Sequence, residues 1–224
     1  MLETSRTATE NAWVDRTMAR FDALNDGLVI KTRSLLHRIV GDTSLHPRFL
    51  NTLSMLEHMG SHKIMATQHG PTVAQPTLKH LAEECHHAFF MKRQAEKAAG
   101  RPLEYVEAEL LAPRAARMYF QRLEATMLRA LRPDAGNTAC YLYMSMIVEF
   151  RAVWFYGLFQ QALKRQGHPL SLKRLLGEEQ NHLTDMADRL EHARELSDTR
   201  VESFIGTEHA LYERLLGSLQ HSAT

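Results

Sequence analysis

Two stretches of this chain repeat one short pattern. Glu83-Glu84-Cys85-His86-His87 and Glu178-Glu179-Gln180-Asn181-His182 both read Glu-Glu-x-x-His. With 18 Glu and 13 His among 224 residues, chance alone supplies about one Glu-x-x-His, so the motif by itself has little weight. The chain holds three: Glu83/His86, Glu84/His87 and Glu179/His182. Their placement says more than their number. Residues three apart share a helix face, so Glu84 and His87 project together with His80, Met91 and Gln94. The echo favours this register over Glu83/His86, which leaves His86 as a flanking residue. Glu179 and His182 share a face with Leu172, Leu175 and Met186. That face is otherwise apolar, so the pair points toward a core. A buried carboxylate is costly unless it is paired or bound to metal.

Two further carboxylates have comparable settings. Glu57 interrupts the stripe Leu53, Leu56, Gly60, Ile64, and Gly60 leaves room for a close approach one turn on. Glu149 lies inside the segment 141–156, which is apolar nearly all round and reads as a helix buried on most sides. The resulting order is lone Glu, Glu-x-x-His, lone Glu, Glu-x-x-His. The separations of 27 residues (Glu57 to Glu84) and 30 residues (Glu149 to Glu179) suit two antiparallel helical hairpins, each returning to its own level. Four carboxylates and two imidazoles meeting at mid-bundle form a hard, oxygen-rich site for two metal ions. Such ligands suit iron or manganese, whereas copper(I) and structural zinc favour thiolate.

The series Glu57, Glu84-x-x-His87, Glu149, Glu179-x-x-His182 resembles that of the ferritin-like di-iron carboxylate proteins. The resemblance covers about residues 47–196. It implies an all-α, ferritin-like four-helix bundle, here with about three additional helices. It implies two iron ions, or manganese with iron. Glu84 and Glu179 then bridge the ions, Glu57 and His87 belong to one, and Glu149 and His182 to the other. It further implies activation of O2, an electron donor, and oxidation of a small, hydrophobic organic substrate. Departures narrow the subfamily. Met91 stands where the small subunit of ribonucleotide reductase has its radical Tyr, and Val153 where bacterial multicomponent monooxygenases have a Thr. The paired Cys motifs of rubrerythrins are missing, and the extra helices would crowd a closed ferritin shell. Asp185 and Asp188 are candidate acceptors behind the histidines, by proximity.

The elements that must position these residues are all helical by periodicity. Helices are expected at about 11–40, 47–69, 76–100, 103–131, 137–166, 168–196 and 200–219. The fourth has a possible break at Pro113, and Gly100 is the cap of the third. The chain shows no linker, so it reads as one helical domain, with the bundle core at about 47–196 and flanking helices at about 11–40 and 200–219.

Composition excludes several classes. With 44% hydrophobic and 24% charged residues, the chain is not of disordered composition. A net charge of +1 offers no bulk attraction to nucleic acid or an anionic membrane. The basic series Arg114, Arg117, Arg122, Arg129, Arg132 is interleaved with Glu109 and Glu124 and reads as a solvated face. Two cysteines cannot form a disulfide framework. The residues 1–13 lack an apolar signal core, so a cytoplasmic location is expected. The apolar stretch 139–159 carries Glu149 and Arg151, which argues for a buried helix over a membrane span. The Met and aromatic residues along it read first as core, and second as the walls of an apolar substrate channel. Two other functions stay open: a ferroxidase or iron-storage protein, and a metal-free helical binding protein resembling the heme-oxygenase fold. The second would leave Glu149 paired with an Arg such as Arg117 or Arg122. A homodimer through the additional helices is a further expectation.

Overall fold

The computed structural model describes residues 3–68, 70–131 and 136–224, with side chains from residue 12 onward. His69, the expected end of the second helix, and Arg132 lie outside the described residues. Among the described residues are seven α-helices and one short 3-10 turn (Glu107–Glu109): α1 (Glu3–Gly41), α2 (Leu45–Ala66), α3 (Gln75–Ala99), α4 (Pro113–Leu131), α5 (Asn137–Arg165), α6 (Lys173–His192) and α7 (Asp198–Ser222). No strand occurs among the described residues.

Local chemistry explains most boundaries. Asp42 accepts hydrogen bonds from the backbone of Ser44 (2.8 Å) and Leu45 (3.0 Å), closing the turn into α2. Gly100 takes a left-handed φ of 68° and ends α3, a conformation cheap only for glycine. Ser197 caps α7 by accepting from the Arg200 amide. Three boundaries differ from the sequence reading. α1 starts at Glu3 rather than near Asn11, and no Gly or Pro precedes Gly27 to stop it. α4 starts at Pro113 instead of being broken there; proline lacks the N–H that the first turn leaves unpaired. The segment before it is a strap tied to α2. Asn51 donates to the carbonyls of Glu104 and Glu109, and Thr52 donates to that of Leu111. α6 starts at Lys173, because the run from Pro169 is held outside the helix by contacts such as the Leu172 amide to Gln160.

Amphipathic stripes decide the packing. α4 buries Ala116, Phe120, Leu123, Met127 and Leu131 at i, i+3/i+4 spacing. α6 buries Leu175, Glu179, His182, Met186 and Leu190 in the same way. α2 pairs with α3, and α5 with α6, as two hairpins; α3 meets α6 across the middle. α1 covers α5 and α6, while α4 packs on α7 and reaches both α2 and α5. α5 is long and apolar enough to cross a membrane, yet most of its apolar window is buried against the other helices. The four helices that carry the Glu/His residues are therefore α2, α3, α5 and α6, with α1, α4 and α7 laid around them.

Candidate metal centre

The structure brings all six residues of the sequence pattern to one place and adds a seventh. Glu57, Glu84, His87 and Glu179 each turn a donor atom to a common point, all within 4.8 Å of one another. His80, Glu84, Glu149 and His182 form a second such group. Glu84 belongs to both, so the two groups adjoin. Glu84, His87, Glu149, Glu179, His182 and His80 are buried. Glu57 is half-buried because it also lines a cavity, but Tyr156 donates a hydrogen bond to its carboxyl. Burial settles the register of α3: Glu84 and His87 are inside, and His86 is exposed.

The hydrogen-bond pattern orients the rings. Nε2 of His87 lies 2.9 Å from Glu178 Oε2, and Nε2 of His182 lies 2.9 Å from Glu83 Oε2. The first Glu of each Glu-Glu-x-x-His thus holds the histidine of the other helix. Nδ1 of each ring is left facing the cluster: His87 Nδ1 is 3.3 Å from Glu179 Oε1, and His182 Nδ1 is 3.0 Å from Glu179 Oε2. A ring whose outer nitrogen is hydrogen-bonded to a carboxylate presents its inner lone pair to a metal in a fixed direction. The acceptors behind these two rings are therefore Glu178 and Glu83, and not the expected Asp185 and Asp188: Asp185 pairs with Arg189 at 3.2 Å. His80, which the sequence places on the face of Glu84 and His87 but not among the six ligand candidates, faces the cluster with Nε2, 3.2 Å from Glu149 Oε1, while its Nδ1 is 2.7 Å from the Tyr141 hydroxyl. It lies one turn before Glu84 on the same face, and that spacing was the signal for it.

Electrostatics reflects seven ionisable groups in one enclosed volume. Burial disfavours charge on all three histidines, but hydrogen bonds to the carboxylates outweigh it. His80 and His87 are held up to about 9 and His182 up to about 12. Burial drives Glu57 up to about 8 and Glu179 well above the usual carboxylate range. Burial also works against charge on Glu84 and Glu149, yet bonds to the histidines hold both low. Protons thus stand where cations could stand. The donor set fits metal well: Glu84 Oε1, His87 Nδ1 and Glu179 Oε1 are buried without a hydrogen-bond partner. A polar atom buried in this way costs about 1–3 kcal/mol, and a cation in place of the histidine protons would relieve all three together.

Among the described residues no ion pair joins Glu149 to an arginine; it meets His80 and His182. Arg151, two residues on, forms a buried ion pair with Glu208 of α7 instead. Arg117 donates to the Tyr105 carbonyl. Gly60 makes less room than expected: a Cβ there would sit 3.6 Å from Glu84 Oε2, an ordinary contact.

No family model matches the chain, and no curated protein or solved structure matches it. The molecule is defined by its own geometry: a helical protein with a buried His/Glu cluster that could hold metal, compatible with a di-iron site.

Proposed function

We propose that the chain is a ferritin-like di-iron carboxylate protein, with manganese able to replace one iron, that activates O2 and oxidises a small apolar substrate. The observation that carries this reading is the convergence of four carboxylates and three imidazoles, three of whose inward atoms (Glu84 Oε1, His87 Nδ1 and Glu179 Oε1) are buried without a hydrogen-bond partner. Glu57, Glu84, His87 and Glu179 would hold one ion; His80, Glu84, Glu149 and His182 would hold the other. A pair of redox-active ions supplies the electrons and the open positions that O2 reduction needs.

The chain supplies the rest. Glu83 and Glu178 keep two imidazoles in register, Tyr141 keeps the third, and Tyr156 holds the Glu57 carboxyl. Beside the cluster, between α2, α4, α5 and α7, is a cavity of about 110 Å³ with mostly apolar walls. Such walls keep water from the reacting centre. They also favour an organic substrate over Fe(II), which would need polar ligands along its way. That Glu149 meets His80 and His182, among the described residues, and no arginine weighs against the metal-free scaffold.

The test is metal content after expression in iron-replete cells, then anaerobic reduction and an O2 pulse followed in the visible range. About two irons per chain and a transient absorbing species are expected. Glu84→Ala and Glu149→Ala should empty one or both positions. A chain that takes up neither iron nor manganese, or variants that still hold two irons, would overturn the proposal.

A further inference from the structure

The two donor groups of the cluster are chemically unequal. Glu57, Glu84, His87 and Glu179 offer three carboxylates and one imidazole; His80, Glu84, Glu149 and His182 offer two carboxylates and two imidazoles. His80 makes the difference, because the repeated Glu-x-x-His of α3 and α6 supplies only one ring to each position. Glu179 does not even the balance. Its Oε1 lies 3.3 Å from His87 Nδ1 and its Oε2 3.0 Å from His182 Nδ1, so it can serve both positions. The second position then still has one imidazole more than the first.

The extra ring is placed to act as a ligand. His80 Nε2 is 3.2 Å from Glu149 Oε1 and 3.6 Å from Glu84 Oε1. His182 Nδ1 is 3.5 and 3.6 Å from the same two oxygens. An ion with bonds of about 2.1 Å holds neighbouring donors about 3.0–3.4 Å apart. Both rings therefore need only small shifts to share one ion with Glu84 and Glu149. On the other position, Glu57 is the one half-buried donor of the cluster, and it lines the cavity of about 110 Å³. Water reaching an ion from that side adds an oxygen ligand, never a nitrogen.

Donor type separates first-row metals. Carboxylate and water suit Mn(II), whereas imidazole suits Fe(II) and Zn(II), and at any such site Mn(II) is held least tightly. One more imidazole raises affinity for the later ions more than for Mn(II). We infer that the cluster sorts metals. The His80/His182 position takes iron or another later divalent ion in preference to Mn(II), and the Glu57/His87 position is the one that accepts manganese. That these ions serve an oxidase rests on the reading above; the sorting itself depends only on the donors.

The full chain is loaded with Mn(II) without O2 and titrated with Zn(II), and released Mn(II) is read by electron paramagnetic resonance. Release should come in two steps, the second needing about tenfold or more Zn(II) than the first. Crystals of the half-exchanged chain, measured at the Zn and Mn absorption edges, should place Zn(II) beside His80 and His182 and Mn(II) beside Glu57 and His87. His80→Glu leaves one imidazole at each position, so the two steps should merge while two ions stay bound. His80→Gln, which adds no charge, should bring the steps together in the same direction. Circular dichroism checks that the variants fold, and the titration and crystals of the parent chain need neither. Release in a single step from the parent, Zn(II) beside Glu57 and His87, or a His80→Glu chain that sorts as the parent does would each overturn the inference. Sorting in a chain whose iron form gives no transient with O2 would sink the oxidase reading alone. Two irons and a transient, without sorting, would sink this inference alone. A chain that binds neither Mn(II) nor Zn(II) would overturn both.

Discussion

Glu83 and Glu178 do for the histidines what the ligands cannot do for themselves. An imidazole can present either nitrogen, and only a partner on the outer one decides. Glu178 is itself anchored by Arg174, 2.9 Å away on the same helix, and its pKa is held below the usual range by bonds to Arg174 and His87 that outweigh its burial. Removing this acceptor while leaving every ligand in place should lower metal affinity about 10–100-fold. Titration of Glu178→Ala with Mn(II) checks this. Glu178→Gln, which keeps an acceptor oxygen, should recover part of the loss; a Glu178→Ala chain with parental affinity would mean that His87 is oriented by other contacts. The sequence carried this arrangement in plain form, as a five-residue echo with two Glu at the start of each copy. The first Glu of each copy was legible as a repeat, but its role was not, because its partner lies 91 residues away for Glu178 and 99 for Glu83. His80 was on the correct face but not among the six ligand candidates, since only the approach of α5 and α6 gives it Glu149 as a neighbour.

Among the elements, α5 combines the most tasks. One flank carries Glu149 to the cluster, the opposite flank carries Arg151 to Glu208, and the strip between them walls the cavity. Its near-uniform apolarity, legible in the sequence, follows from contacts on all sides with α1, α4, α6 and α7. α2 carries a testable detail. Gly60 is a mid-helix glycine whose added Cβ would meet only ordinary contacts. Glycine inside a helix costs about 0.5–1 kcal/mol relative to alanine. Gly60→Ala should therefore raise stability by about that amount in denaturant unfolding, with the Mn(II) stoichiometry unchanged. Loss of stability would show that Glu84 or Phe120 cannot yield at this point. Two of the three helix limits that the sequence misplaced, Pro113 and Lys173, are set by segments that tertiary bonds hold out of a helix. Periodicity alone reads through such segments.

For the whole molecule, the cluster links folding, protons and metal. The histidines have pKa values raised above their ordinary 6.5, to about 9 for His80 and His87. A raised histidine stabilises the fold below pH 6.5, and that contribution fades as pH climbs through 9. Glu57, raised to about 8, acts in the same direction between its ordinary 4.5 and 8, because the folded state then binds the extra proton. The metal-free chain should therefore lose Tm as pH rises from 6.5 to 9. Metal must displace these protons, so Mn(II) binding should release protons into weak buffer near pH 7, tighten as pH rises, and flatten the fall in Tm. A Tm that is flat in the metal-free chain would contradict this charge arrangement. The sequence by itself determined the helices, the order of six Glu and His ligand candidates, and the two hairpins that bring each pair back to one level. These follow from periodicity and spacing, which are local properties of a helix. Tertiary structure alone decided that the two hairpins face each other, that His80 joins them, that Glu83 and Glu178 cross over, and that Arg151 turns to Glu208. Each of these is a contact between helices far apart in the chain, and its partner is selected by packing in three dimensions, which spacing along the chain does not encode.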